Sequence, residues 1–234
     1  MILSSPDKQC SLDPVTTWIL KKIAGDVVVN ILNRSFSKGQ VPRRFKSAVV
    51  TPLLKTEGLD PDDLNNIRPV SSVSLISKIL ERLVEERIND HLDVIGTLSQ
   101  VQSAHRRYHS TETVLTKVVS DIIMAADAGD VSVLALSDLS SAFDTVDHTI
   151  LLNRLTSSHH IGGIVLEWFE SYLRESCQSV IDAGLSSPTV LLEHGVPQGS
   201  VSEPLLLIMY PEEIPHLFSN HGLLYVCYAI LLSL

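Results

Sequence analysis

A lone aspartate at the end of an apolar run, two cations flanking a loop, and a glycine-rich turn around a glutamine are the residues of this chain suited to chemistry. Asp138 closes "VSVLALSD". A carboxylate at the end of a buried strand is costly unless it is paired or holds a metal ion. A turn or helix-cap role is the plainer alternative for such a residue. Phe143 is the first bulky side chain after the turn "SSA". Lys55 and Arg68 lie on either side of the polar stretch "TEGLDPDDLNN". So placed, they would clasp a triphosphate or stand in solvent as ordinary surface cations. In "HGVPQGSVSEPLL", Gly195, Pro197 and Gly199 surround Gln198. Glycine adopts conformations closed to other residues, so such a turn brings backbone and one amide side chain against a ligand. It reads equally as a plain hairpin leading into a helix. Asp144, Asp147 and His148 make a metal-like cluster, against which stands simple capping of the next helix.

These residues need elements to hold them. Asp13 and Pro14 suit the start of a helix, Val15, Ile19, Leu20, Ile23 and Val27 recur at helical spacing, and Gly39 suits its end. "FKSAVVTPLLK" is rich in β-branched residues and predicts a strand over 45–55, followed by a loop over 56–66. Leu75, Ile76, Ile79, Leu80, Leu83, Val84 and Ile88 then fall on one helical face that Gly96 terminates. A second helix opens at Ser110, with Glu112 near its positive end and Gly129 at its close. The Val- and Leu-rich run 131–140 predicts a strand buried on both faces. Short helices over 148–157 and 163–175, the strand pair "QSVIDAG" and "PTVLLEHG", a helix-like stretch 200–219 and a last strand ending at Tyr228 and Ala229 complete the chain. No internal repeat, low-complexity tract or interdomain linker interrupts it.

With 234 residues, 44% hydrophobic and 19% charged, the chain reads as globular and long enough for a sizeable core. Cys10, Cys177 and Cys227 are far apart, which argues against a disulfide framework or a zinc site and for a reducing compartment. "MILSSPDKQC" lacks the layout of a signal peptide. "LLYVCYAILL" is about half the length that spans a bilayer. The expectation is an intracellular chain, nuclear or cytoplasmic, without a membrane partner. The net charge of −9 is unevenly spread. Residues 34–110 carry 12 basic against 9 acidic side chains, and residues 111–234 carry 3 against 15. That asymmetry suits a phosphate-gripping part joined to a metal-binding part, and equally a solvated acidic surface.

Taken together and in order, "FKSAVVTPLLK", "RPVSSVSLISKILERLV", "QSAHRRYHSTETVL", "DLSSAFDTVDHTILLNRL" and "GVPQGSVSEPLL" resemble the blocks of the reverse transcriptase domain of non-LTR (LINE-type) retrotransposons. The resemblance runs from about "CSLDPVTTWILKK" to "CYA". It implies an α+β fold: the fingers and incomplete palm of a right-hand polymerase, with a small antiparallel sheet carrying Asp138, backed by helices. Residues 1–40 would form an N-terminal helical segment, 41–130 a fingers-like part and 131–234 the incomplete palm, with the thumb absent. The implied activity is RNA-directed DNA synthesis by phosphoryl transfer at two Mg2+ ions, with an RNA template, a DNA primer and deoxynucleotide triphosphates as partners.

Carried onto this sequence, the resemblance makes Asp138 the first catalytic carboxylate and metal ligand, and Phe143 the aromatic that excludes a ribose 2′-hydroxyl. Lys55 and Arg68 become the cations holding the triphosphate, and Gln198 the residue lying against nucleotide and template. Gln102 and Arg106 in "QSAHRRYHSTE" become template-side residues. The family's other carboxylates come from a Tyr-Ala-Asp-Asp hairpin. Here Tyr228 and Ala229 are followed by Ile230 and Leu231, and the chain stops three residues later. Neither side chain ligates a hard cation. Ser202 and Glu203 also replace the usual Leu-Gly, and Glu203 puts negative charge near the expected nucleotide path. Asp144, Asp147, Glu212 or Glu213 would stand in for the lost pair only if they met the productive geometry to within ~0.5 Å.

The expectation is therefore a truncated, inactive polymerase fragment in which Mg2+ binding is impaired. The alternatives are a non-catalytic RNA- or protein-binding remnant and a chain that does not fold stably. Two placements follow from the resemblance. Asp138 and Tyr228 should lie on neighbouring strands with Cα atoms within about 10 Å, and Lys55 and Arg68 should face the cleft that holds Gln198.

Overall fold

The computed structural model describes residues 10–13, 15–23, 27–98, 102–104, 106, 108–134, 144–196, 199–211 and 220–221. Its first half runs α1 (Thr17–Lys22), α2 (Val29–Lys38), β1 (Ser47–Leu54), β2 (Ile67–Val73), α3 (Leu75–Ile95) and α4 (Thr111–Asp127). Its second half runs α5 (His148–Ser157), α6 (Gly163–Leu173), β3 (Cys177–Asp182), β4 (Leu185–Ser186), β5 (Val190–Leu191) and α7 (Glu203–Met209). The chain is thus a mixed α+β fold in which helices outnumber a small sheet.

The apolar stripe of α3 forms as its spacing predicts. Ile76, Ile79, Leu80, Val84, Ile88 and Leu92 are buried, while Leu75 and Leu83 sit half-buried at the stripe's edges. Ser74 caps the helix by accepting the Ser77 N–H at 3.2 Å, and Gly96 closes it with φ 65°. The same core takes Leu151 and Leu155 from α5, Phe169 from α6, and Leu206 and Met209 from α7. Trp168 of α6 stacks on Tyr172, meets Phe169 edge-on, and donates its indole N–H to Ser35 Oγ of α2 at 3.1 Å. That bond ties the N-terminal helices to the core.

Of the helix expected over 13–38 the structure describes α1 and α2, with residues 24–26 between them outside the described residues, and Asp13 does not cap α1. Its Oδ1 instead accepts the Leu75 N–H at 2.8 Å, serving the start of α3 across 62 residues of sequence. Gly39 does end α2, in the left-handed region at φ 57°. A Cβ on Gly39 would stand 2.9 Å from the Ile164 carbonyl of α6, so glycine is required twice over. Gly39→Ala is expected to destabilise the chain by about 1–2 kcal/mol from backbone strain alone, with the close approach adding to it; a urea-unfolding midpoint equal to that of the parent would contradict this.

The sheet runs β2-β1-β3-β4, with β5 also on β3. It is mixed rather than purely antiparallel: β1 pairs antiparallel with β2 and parallel with β3. The parallel pair arises because α3 to α6 intervene between the two strands, room enough for a crossover. β3 and β5 pair antiparallel as the two sequence runs suggest. β2 is a strand despite Pro69. The Lys55 N–H donates to the Asn66 carbonyl, so ladder bonds fall at alternate pairs from there, and Pro52 faces Pro69 between them. A proline between ladder bonds, on an edge strand, forfeits nothing.

Two expectations fare differently. Ser110 caps α4 in a capping box with Thr113, as the sequence indicates. Residues 131–134, by contrast, join no strand, and Val131 and Val133 are about nine-tenths exposed rather than buried. Residues 135–143, the rest of that run, lie outside the described residues, as does the last expected strand. No described helix is long and apolar enough to cross a membrane.

Candidate functional site

The β1–β2 ribbon sets the geometry of the two cations. Leu53 pairs with Arg68, and the next ladder bond joins Lys55 to Asn66. Residues opposite one another, and those two further along, share a face. Lys55 and Arg68 therefore stand on the same face at diagonal positions, and both are exposed. The connecting loop is held by its own polar residues: Asp63 accepts the Asn65 N–H at 2.9 Å, and Asn66 Nδ2 donates to the Asp60 carbonyl at 3.1 Å.

The glycine-rich turn packs against this ribbon. Gly199 has φ 92°, and a Cβ there would lie 3.2 Å from the Ser71 carbonyl of β2, three residues along from Arg68. The other end of the turn is fixed to the segment before α5. The Gly195 N–H donates to the Val146 carbonyl at 2.8 Å, and His148 Nε2 donates to the Gly195 carbonyl at 2.7 Å. Three blocks distant in sequence, "RPVSSV", "DTVDH" and "GVPQGS", thus meet in space.

Asp147 and His148 behave as helix-end residues. Asp147 Oδ1 accepts the Thr149 and Ile150 N–H groups at 2.8 and 3.0 Å, and these bonds, the Ile150 one foremost, hold its carboxyl below the usual range. Behind the glycine-rich turn lies a buried acidic group that the sequence reading did not single out. Glu81 of α3 is 1% exposed, and its Oε2 accepts the Val201 and Ser202 N–H groups at 2.6 and 3.2 Å. Burial pushes its carboxyl up. Glu203 accepts the Gly199 N–H, and burial, with repulsion from Asp144 and Glu81, pushes it up to about 7. Glu203 is therefore an inward-facing carboxyl whose ionisation is opposed by burial. Tyr172 Oη is buried within hydrogen-bonding reach of Ser200 and Glu81, and burial pushes its phenol well up, while Ser202 Oγ is buried nearby. The signal for Glu81 was present: Ser77 and Glu81 lie on the helical stripe that continues through Val84 and Ile88.

Gln102 is buried, and its side-chain amide donates to the Ala104 carbonyl at 3.3 Å, while Arg106 is half-buried in the same segment. Asp138, Phe143 and Gln198 lie outside the described residues, as do Tyr228, Ile230 and Leu231.

The sequence profile described as "Reverse transcriptase (RNA-dependent DNA polymerase)" matches residues 55–229 of this chain. A relative from Drosophila melanogaster, the RNA-directed DNA polymerase from mobile element jockey, is 30% identical over 204 residues, covering 87% of this chain and 22% of the relative. The jockey polymerase of Drosophila funebris is 29% identical, covering 91% of this chain and 23% of its own length. A probable RNA-directed DNA polymerase from transposon BS of Drosophila melanogaster is also 29% identical, over 74% of this chain and 19% of the relative. The chain spans roughly a fifth of the length of these relatives. The chain belongs to the reverse transcriptase family, and its relatives are the polymerases of non-LTR mobile elements.

That family uses divalent metal ions. In this chain Ile230 and Leu231 follow Tyr228-Ala229, and neither side chain can ligate a hard cation. Among the described residues, no group of three His, Cys, Asp or Glu could hold one.

Proposed function

We propose that this chain is part of the RNA-directed DNA polymerase of a mobile element, built as fingers and part of a palm, and that it does not itself add nucleotides. The observation that carries the second half is the replacement of both hairpin acids by Ile230 and Leu231. Two-metal nucleotidyl transfer needs carboxylates from both strands, and a single Asp138 supplies only one of them. In this reading Lys55 and Arg68 face the triphosphate, Phe143 and Gln198 contact the nucleotide, and Gln102 and Arg106 lie on the template side. The setting is intracellular, nuclear or cytoplasmic, where an RNA template is met. The test is primer extension on an RNA template with all four deoxynucleotide triphosphates and either Mg2+ or Mn2+. No product above a protein-free control is expected, and extension that Asp138→Ala abolishes would overturn the inactive reading.

The exposed cation pair favours a second capacity, RNA binding without catalysis. Phosphate contacts need no metal and weaken with salt. Lys55→Ala with Arg68→Ala is expected to weaken binding of a single-stranded RNA uniformly across sequences and to lower the salt slope by about 1–2. Fluorescence anisotropy between about 50 and 200 mM salt reads both quantities. An unchanged slope in the double variant would remove the cations from the interface.

A further inference from the structure

The glycine-rich turn is held from behind by two carboxylates. Glu81 reaches 120 residues along the chain to take the Val201 N–H, and it also takes the adjacent Ser202 N–H. Glu203, one helical turn beyond Gly199, takes the Gly199 N–H. Three of the four backbone N–H groups from 199 to 202 are thereby bound to acid side chains, while Gly199 itself leans on Ser71. We infer that Glu81, assisted by Glu203, is a positioning residue: it holds the 199–202 backbone in one shape against the β1–β2 ribbon. The role of that shape in meeting a nucleotide rests on the functional reading above; the clamp itself does not.

The proton arrangement fits a clamp. Ser77 Oγ lies 3.0 Å from Glu81 Oε1 and 2.9 Å from the Phe45 carbonyl, and its single proton serves only one of them. A protonated Oε1 that donates to Ser77 Oγ frees the hydroxyl to donate to Phe45, while Oε2 still accepts both N–H groups. Burial raises the Glu81 carboxyl in the direction this requires. Glutamine reproduces that pattern, with its carbonyl oxygen toward 201 and 202 and its NH2 toward Ser77. Methionine has similar bulk and neither function.

Amide hydrogen exchange on the full chain tests the clamp without any ligand. In the parent chain, the Val201 and Ser202 amides should be protected; free exchange at both would overturn the inference whatever the variants do. Glu81→Met should lose protection at these two amides by at least about tenfold relative to the α6 amides Trp168–Leu173, a local loss that simple core filling would not produce. Glu81→Gln should restore it. Equal protection at 201 and 202 in Glu81→Met and the parent would reduce Glu81 to packing. The nucleotide role is read separately by titrating dTTP against the Gly199 and Ser200 amide resonances. Absence of any shift there would remove the turn's nucleotide role and leave the clamp standing on the exchange data.

Discussion

Aspartate at both positions 230 and 231 is expected to give this chain a Mn2+ site that Ile230 and Leu231 deny it. Hard divalent cations take oxygen ligands, and the count of carboxylates sets their affinity over decades. In the proposed assignment, Asp138 is the single carboxylate among positions 138, 230 and 231. Ile230→Asp with Leu231→Asp should therefore tighten Mn2+ binding by at least about tenfold, measured by the loss of the free-ion electron paramagnetic resonance signal. The gain should vanish when Asp138→Ala is added, because a site shared between two strands needs both. A gain that survives Asp138→Ala would place the new carboxylates away from Asp138 and break the assignment of the hairpin. Asp147 serves as an internal control. Asp147 is committed to the Thr149 and Ile150 N–H groups, so Asp147→Asn should leave the new site unchanged.

What was legible in the sequence was whatever lies in one contiguous string. α3, α5 and α6 follow from apolar periodicity, and α4 from the Ser110 cap, because these signals are complete within a few turns of chain. The family blocks are short strings too and could be read before any fold was known. What was not legible depends on partners far along the chain. Asp13 looks like a cap for the helix beside it but serves Leu75. β2 was hidden by Pro69, which becomes harmless only when Pro52 faces it in a non-bonded pair on an edge strand. Glu81 is an acid on an apolar stripe, which pattern reading tolerates as noise, yet its partners Val201 and Ser202 make it a structural centre of the site. The run 131–134 shows the converse error: a string of Val and Leu predicts burial, and burial needs a covering surface that no described element supplies to it.

The same buried acids predict an unusual pH dependence of stability. Glu203 has an ordinary value of 4.5 and is pushed up to about 7, with burial first among the causes. Three groups face it: Glu81 from α3, Asp144 from the segment before α5, and Tyr172 from α6; repulsion from the first two adds to the effect of burial, while the Gly199 N–H opposes it. Glu81 and Glu85 are raised by burial in the same direction. Between about 4.5 and 7 the folded chain then binds more protons than the unfolded one, so stability falls as pH rises through that window. The contribution from Glu203 is fully present below its unfolded value and lost above its folded one. After allowing for solvent screening it amounts to about 2–3 kcal/mol. Glu203→Gln keeps an oxygen to accept the Gly199 N–H and removes the titration. It should flatten the slope between pH 5 and 7 and make the chain more stable than the parent at pH 8 by about 2 kcal/mol, read from urea unfolding at each pH. A variant that tracks the parent across the whole range would show that Glu203 is not the group that titrates, and would shift the burden to Glu81, whose Oε1 meets Ser77 Oγ while its Oε2 accepts the N–H groups of the turn.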